Sequence, residues 1–455
     1  MASGETRFFC TSCGNETLKW EGRCPACDEW NALAEAPGGG DGAGGEADDP
    51  AGPARSPRPL GEAGAGEAPR RASGLGELDR VLGGGLVPGS LVLLGGAPGI
   101  GKSTLLLQLA ARLHAEDGDA LYVSGEESAS QVRMRAERLG GGAADVPFLA
   151  ETDVDRIVDA ARRREPTLLC VDSVQTLHSS RSDGSPGGVS QVRECAARLQ
   201  TYAKEAEVAT FLVGHVTKEG GLAGPRTLEH AVDAVLRFEG QRTLEHRMLR
   251  AVKNRFGGVD EMAVFRMTSD GLDPVEHPSE LFLADRPEGV SGSAVAVPLQ
   301  GTRPLLAEVQ ALTAPSRYAS PQRVSTGFPS RRLSLLLAVL ERRVGLSLGE
   351  QDVFVNVVGG LRLTDPAADL AVLAALVSTR LDRPLPPGLA LMGEVGLGGE
   401  VRGVAQADRR VREAARSGME AVALPPSAAD GLEAPVELRT VRRAVGLRRL
   451  LEDEG

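Results

Sequence analysis

The chain has 455 residues, 42% of them hydrophobic, which is enough for two or three domains with cores of their own. Its net charge of −11 excludes a protein that grips nucleic acid by overall charge, so any contact with DNA or RNA must rest on a local basic surface. The first seven residues lack an apolar leader core, and the longest apolar runs, such as Leu335–Leu340, fall far short of the about 20 residues of a membrane span. A cytoplasmic location is expected.

In chain order, the first feature is Cys10, Cys13, Cys24 and Cys27, spaced Cys-x2-Cys-x10-Cys-x2-Cys. Each pair can fold as a tight knuckle on one side of a tetrahedral ion, and four soft thiolates favour structural Zn²⁺. Disulfides or an iron–sulfur centre are disfavoured alternatives in a reducing compartment. So short a segment buries little core, and metal binding would supply most of its folding energy. Trp20, Trp30, Lys19 and Arg23 offer stacking and charge to a single strand, although tryptophans that merely cover the metal site are the preferred reading. From about Ala34 to Pro69 the composition turns to Gly, Ala, Pro, Glu and Asp, a flexible linker.

The next feature constrains function most. Gly96, Ala97, Pro98, Gly99, Ile100, Gly101, Lys102 and Ser103 spell a complete Gly-x-x-x-x-Gly-Lys-Ser phosphate loop. Leu91–Leu94 before it is an apolar run of strand type, and Thr104–Leu113 after it has helical composition. The glycines let backbone N–H groups curl around phosphates at a helix N-terminus. Lys102 is placed to reach the β- and γ-phosphates of ATP, and the Ser103 hydroxyl to ligate Mg²⁺.

Downstream, strands and helices alternate, which predicts a mainly parallel sheet with crossover helices. Ala120–Val123 precedes Glu126 and Glu127, Thr167–Val171 precedes Asp172, and Val208–Val213 precedes His215. Ligands gather at the carboxyl ends of such strands. Asp172 suits the carboxylate that holds Mg²⁺, Glu126 the one that orients the attacking water, with Glu127 as competitor. Ser128 offers the plainer alternative that both glutamates are helix-entry charges. His215 suits a γ-phosphate sensor or a satisfied polar strand end. Two glycine-rich loops, His178–Gln191 and Thr217–His230, carry Arg181, Lys218 and Arg226 and read as polymer-contacting or as plain surface loops. Cys170 and Cys195 read as buried thiols. Lys253-Asn254-Arg255-Phe256-Gly257, taken alone, is a basic strand end.

Together with the cysteine knuckles, Trp30-Asn31 and the phosphate loop, that last motif closely resembles the bacterial RadA (Sms) family, nearly end to end. The linker is longer than expected for the family. The resemblance implies a RecA-like ATPase of recombination, DNA repair and the response to DNA damage and stress. It implies a homo-hexameric ring that binds single-stranded and branched DNA, drives branch migration as a helicase or translocase, and works with the recombinase RecA. By the same resemblance Glu126 is the water-activating residue and His215 the sensor. Lys253 and Arg255 become cations inserted into the neighbouring subunit's ATP site, where developing phosphoryl charge needs them.

The C-terminal part, from Val290 on, resembles the proteolytic domain of Lon. At the serine's place it reads Asp365-Pro366-Ala367-Ala368-Asp369, and in the lysine's region Gln406-Ala407-Asp408, so a serine–lysine dyad is lacking and proteolysis is not expected. Arg332–Arg343 and Ala367–Thr379 read as helices with apolar stripes. The expected fold class is α/β in four parts: a four-cysteine zinc ribbon (1–33), a linker (34–70), a RecA-like ATPase domain with ATP and Mg²⁺ (71–273) and a Lon-like α/β domain (274–455). The competing functional class is an ATP-switched mediator that remodels a recombinase without translocating.

Overall fold

A computed structural model of the chain describes residues 8–10, 16–17, 19–25, 30, 33–35, 70–116, 118–215, 227–240, 245–259, 261–317 and 320–451. The described residues divide into two compact units. One runs to Phe238 and adds Val252–Gly257 and Ser269–Gly271; the other comprises Glu239–Ala251, Gly258–Thr268 and the chain from Leu272 onward.

The first unit starts with a small antiparallel ribbon, β1 (Phe8–Cys10), β2 (Glu16–Thr17) and β3 (Leu33–Glu35), in the order β2-β1-β3. Cys10 and Cys24 are buried with Leu33 in one cluster, while Cys13, Cys27 and residues 36–69 of the linker lie outside the described residues. Trp20 Nε1 donates to Leu33 O of this cluster at 3.2 Å. Trp20 is 56% and Trp30 70% exposed, and the Arg23 guanidinium sits 6.0 Å from the centre of the Trp30 ring system.

After α1 (Gly76–Leu82) comes the ATPase sheet: β4 (Leu91–Gly96), α2 (Lys102–Ala115), β5 (Ala120–Ser124), α3 (Ala129–Leu139), β6 (Phe148–Ala150), α4 (Val154–Arg164), β7 (Leu168–Asp172), α5 (Val189–Ala206), β8 (Ala209–His215), α6 (Thr227–Ala231) and β9 (Ala234–Glu239). The order β9-β4-β8-β7-β5-β6 is parallel throughout. Every residue of β4, β5 and β7 is buried, as expected of strands covered on both faces, which explains their unbroken apolar runs. Two loop readings change. Thr227–Ala231, at the end of the second loop, is helical, while 216–226 lie outside the described residues. The first loop is pinned, because Gln191 accepts from Ser179 N (2.8 Å) and donates to Ser179 O (3.1 Å) and to Ser182 O.

In the second unit the first residues of β10 (His246–Asn254) pair antiparallel with β11 (Met262–Thr268). After β12 (Gly271–Pro274) and α7 (Pro278–Leu283) come β13 (Ser293–Ala296) and the short hairpin of β14 (Leu299–Gln300) and β15 (Arg303–Pro304). Next are β16 (Ala307–Pro315), β17 (Arg323–Thr326), α8 (Ser330–Val339), β18 (Gln351–Val357), α9 (Asp369–Leu381) and β19 (Leu389–Leu391). The chain closes with the hairpin of β20 (Glu394–Val395) and β21 (Val401–Arg402), then α10 (Ala407–Arg416), β22 (Ala421–Leu424), α11 (Pro426–Ala429), β23 (Glu437–Thr440) and α12 (Leu447–Leu450). Seven strands form a mixed sheet, β17-β18-β16-β13-β19-β22-β23.

Helix α9 is buried from Asp369 through Ser378, so it is the centre of this core rather than a striped surface helix. The fully buried Asp369 carboxylate accepts from Arg332 Nε (3.0 Å) and Val395 N (3.1 Å). The helix expected over Arg332–Arg343 is α8 followed by a wide π turn, Leu340–Val344, which Gly345 ends at φ +73°. Among the described residues no helix is long and apolar enough to cross a membrane.

Candidate nucleotide site

The phosphate loop joins β4 to α2 as its sequence demands. Gly99 (φ +72°) and Gly101 (φ +120°) adopt backbone conformations that favour glycine, and Ile100 tucks into the core beneath the loop. No side chain caps the N-terminus of α2, which leaves first-turn N–H groups for an anion. Pro98 and Gly99 are exposed at the tip, and Thr104 follows in the first turn of the helix. Lys102 is buried, and its ammonium donates to Gly96 O (3.0 Å) and Ala97 O (3.1 Å). Burial lowers the pKa of Lys102, while the charges of Asp172 and Glu126 oppose the shift.

Parallel pairing brings the other candidates to the same sheet end. Ser124 lies opposite Asp172 across β5 and β7, and Gly96 opposite His215 across β4 and β8. His215 therefore stands beside the start of the phosphate loop by its backbone position. Asp172 is almost fully buried, and Tyr122 donates its hydroxyl to Asp172 Oδ2 at 2.9 Å. Burial raises the Asp172 pKa, while hydrogen bonds with Ser103 and Tyr122 pull it back. A buried carboxylate beside a hydroxyl is a hard-oxygen donor set that fits Mg²⁺.

The two glutamates part company. Glu126 accepts a short hydrogen bond from Ser173 Oγ, next to Asp172. Glu127 is held by both terminal nitrogens of Arg135 at 2.6 Å each. Neither lies in the first turn of α3, where Ser128 is the N-cap and Gln131 Oε1 accepts from Ser128 N (2.9 Å). A Cβ at Gly125 would stand 2.3 Å from Thr176 Oγ1, so any larger residue there requires Thr176 to shift.

The basic strand end is less solvated than its sequence suggests. Lys253 Nζ donates to the carbonyls of Glu229 (2.7 Å), His230 (3.3 Å) and Val232 (2.7 Å), at the C-terminal end of α6 and just beyond it. Arg255 is 55% exposed and pairs with the buried Asp233 at 3.2 Å. Asp233 also accepts from Leu91 N at 3.0 Å, so Arg255 stands by the first residue of β4, at the far end of that strand from the phosphate loop. Five residue steps at about 3.3 Å put roughly 16 Å between the two ends. Sequence reasoning missed Tyr122, Ser173, Arg135 and Asp233. The available signal for Tyr122 was a polar-tipped ring in an otherwise apolar strand, since buried tyrosine hydroxyls find partners.

In the second unit Ala367 is fully buried in the turn leading into α9, and Asp408 pairs with Arg412 (3.3 Å) on α10.

A parallel sheet whose central strand ends in a phosphate loop, with carboxylates following two neighbouring strands, defines a RecA-like ATPase core. It is joined here to an N-terminal ribbon and a Lon-like α/β domain. The sequence matches the family described as AAA domain over residues 67–221, rubredoxin metal binding domain over 8–35, and Lon protease (S16) C-terminal proteolytic domain over 346–445. The chain belongs to the family of DNA repair protein RadA. It is 47% identical to that protein of Halalkalibacterium halodurans and 46% identical to that of Bacillus subtilis, over 97% of each chain in both cases. Among solved structures, the RadB recombinase aligns at a TM-score of 0.37 and 23% identity, covering 45% of this chain and 99% of that one.

Proposed function

We propose that this protein is a DNA-dependent ATPase of homologous recombination and repair that binds single-stranded DNA and extends branched intermediates as a homo-hexameric ring in the cytoplasm, alongside the recombinase RecA. The observation that carries the assembled motor is the place of Arg255. Through Asp233 it stands by Leu91, and β4 runs about 16 Å from there to the phosphate loop, which supports a role on transferred phosphate in a neighbour's site.

In this reading the loop from Gly96 to Ser103, with Thr104, cradles ATP. Lys102 leaves the carbonyls of Gly96 and Ala97 for the phosphates. Ser103 and Asp172 hold Mg²⁺, which would neutralise charge between the phosphates. Glu126, kept in place by Ser173, orients the attacking water, and Glu127 is excluded from that task by Arg135. His215 senses the γ-phosphate, and Lys253 and Arg255 complete the adjacent site. Cys10, Cys13, Cys24 and Cys27 bind Zn²⁺; the shared burial of Cys10 and Cys24 supports this donor set. The Lon-like domain does not cut peptides, since Ala367 offers no nucleophile. Parts 1–33, 34–70, 71–273 and 274–455 serve as metal module, tether, motor and platform.

A strand-displacement assay on three-strand intermediates tests the motor. ATP-dependent branch extension is expected, and DNA-stimulated hydrolysis without any extension would leave only a switch.

A further inference from the structure

From the geometry around Asp172 we infer that Tyr122 is a positioning residue for the metal-holding carboxylate, fixing its rotation so that one oxygen faces the phosphate loop. The inference rests on the reading of Asp172 as the Mg²⁺ ligand. Tyr122 and Cys170 are partners across β5 and β7, and Ser124 and Asp172 are the next pair on the same face. The phenol therefore reaches one pair forward along the sheet to meet the carboxylate. The contact is 2.9 Å, to Oδ2, between two nearly inaccessible groups. Ser103 bonds the same carboxylate, so Asp172 is gripped between the helix that follows the phosphate loop and the neighbouring strand. The ring itself is steadied by stacking on Phe148, with centroids 6.5 Å apart at 22°. Such a donor does for a carboxylate ligand what outer partners do for metal ligands generally, removing rotational freedom that binding would otherwise have to remove.

Tyr122→Phe keeps the ring and its stacking and deletes only the donor. In the full-length protein, Mn²⁺ binding would be followed by electron paramagnetic resonance with a non-hydrolysable ATP analogue, together with metal-free nucleotide affinity and thermal melting. The expected result is Mn²⁺ bound about tenfold more weakly, with nucleotide affinity in chelator unchanged. A purely structural tyrosine would instead lower the melting temperature and both affinities together, and that outcome overturns the inference. Asp172→Asn separates the two levels. If it weakens Mn²⁺ binding and Tyr122→Phe does not, the positioning role fails alone; if neither variant does, the Mg²⁺ reading of Asp172 fails with it.

Discussion

Glu126 and Glu127 leave β5 together and end in different company. One residue step brings a side chain to Ser173, the next into the grip of Arg135, and this separation favours Glu126 over Glu127 for the proposed water-orienting role. The thiols of Cys170 and Cys195 are likewise decided by surroundings. Both are fully inaccessible; burial raises the pKa of Cys170 steeply and pushes that of Cys195 up to about 12, from an ordinary value of 9.0. The folded state thus keeps protons that the unfolded chain releases above pH 9. The stability tied to these thiols is whole below that pH and declines as pH rises toward 12. Neither thiol should be alkylated by iodoacetamide at pH 8 until the protein unfolds, as peptide mass mapping can check. Fast native labelling of either would contradict the burial.

At the scale of elements, the segment carrying Arg255 is anchored by close backbone approach. The Gly83 and Gly257 backbones meet so tightly that a Cβ on Gly257 would lie 2.8 Å from Gly83 Cα. Asn254 Nδ2 donates to Val81 O (3.2 Å), and Arg70 to Phe256 O (2.7 Å). The turn after α1, where Gly83 adopts φ +86°, is therefore the seat of the Lys253–Gly257 motif. Gly257→Ala should cost about 1–3 kcal/mol from overpacking, visible as a lower melting temperature, and should reduce ATP hydrolysis by moving Arg255. Unchanged melting and turnover would mean that the seat is soft. Little of this could be read from sequence. The phosphate loop, its strand and its helix are local patterns with a local cause, whereas Gly83 and Gly257 are far apart in the chain and meet only in the fold.

At the scale of the molecule, the proposed role of Arg255, which stands at the opposite end of β4 from the phosphate loop, requires more than one copy. Lys102→Ala and Arg255→Ala should each be inactive alone, the first for want of a phosphate contact and the second for want of a donated cation. Mixed at equal ratio, they should regain hydrolysis at interfaces where an intact loop meets an intact arginine, measured by steady-state phosphate release. Mixtures no better than either parent would refute a role between subunits.

The amino-acid sequence by itself determined that this protein has a phosphate loop, a run of buried parallel strands with polar ends, two Cys-x2-Cys pairs and no nucleophile at Ala367. These depend on neighbours in the chain, on backbone conformations that favour glycine, and on residue chemistry. Only the tertiary structure decided which glutamate bonds Ser173, that Tyr122 donates to the Asp172 carboxylate, that Gln191 pins its loop, and that Lys253 is spent on the carbonyls at and after the end of α6 while Arg255 stands by the far end of β4 from its own loop. Each of these is a contact between distant positions, set by strand register and helix packing, and residue order alone leaves such contacts undetermined.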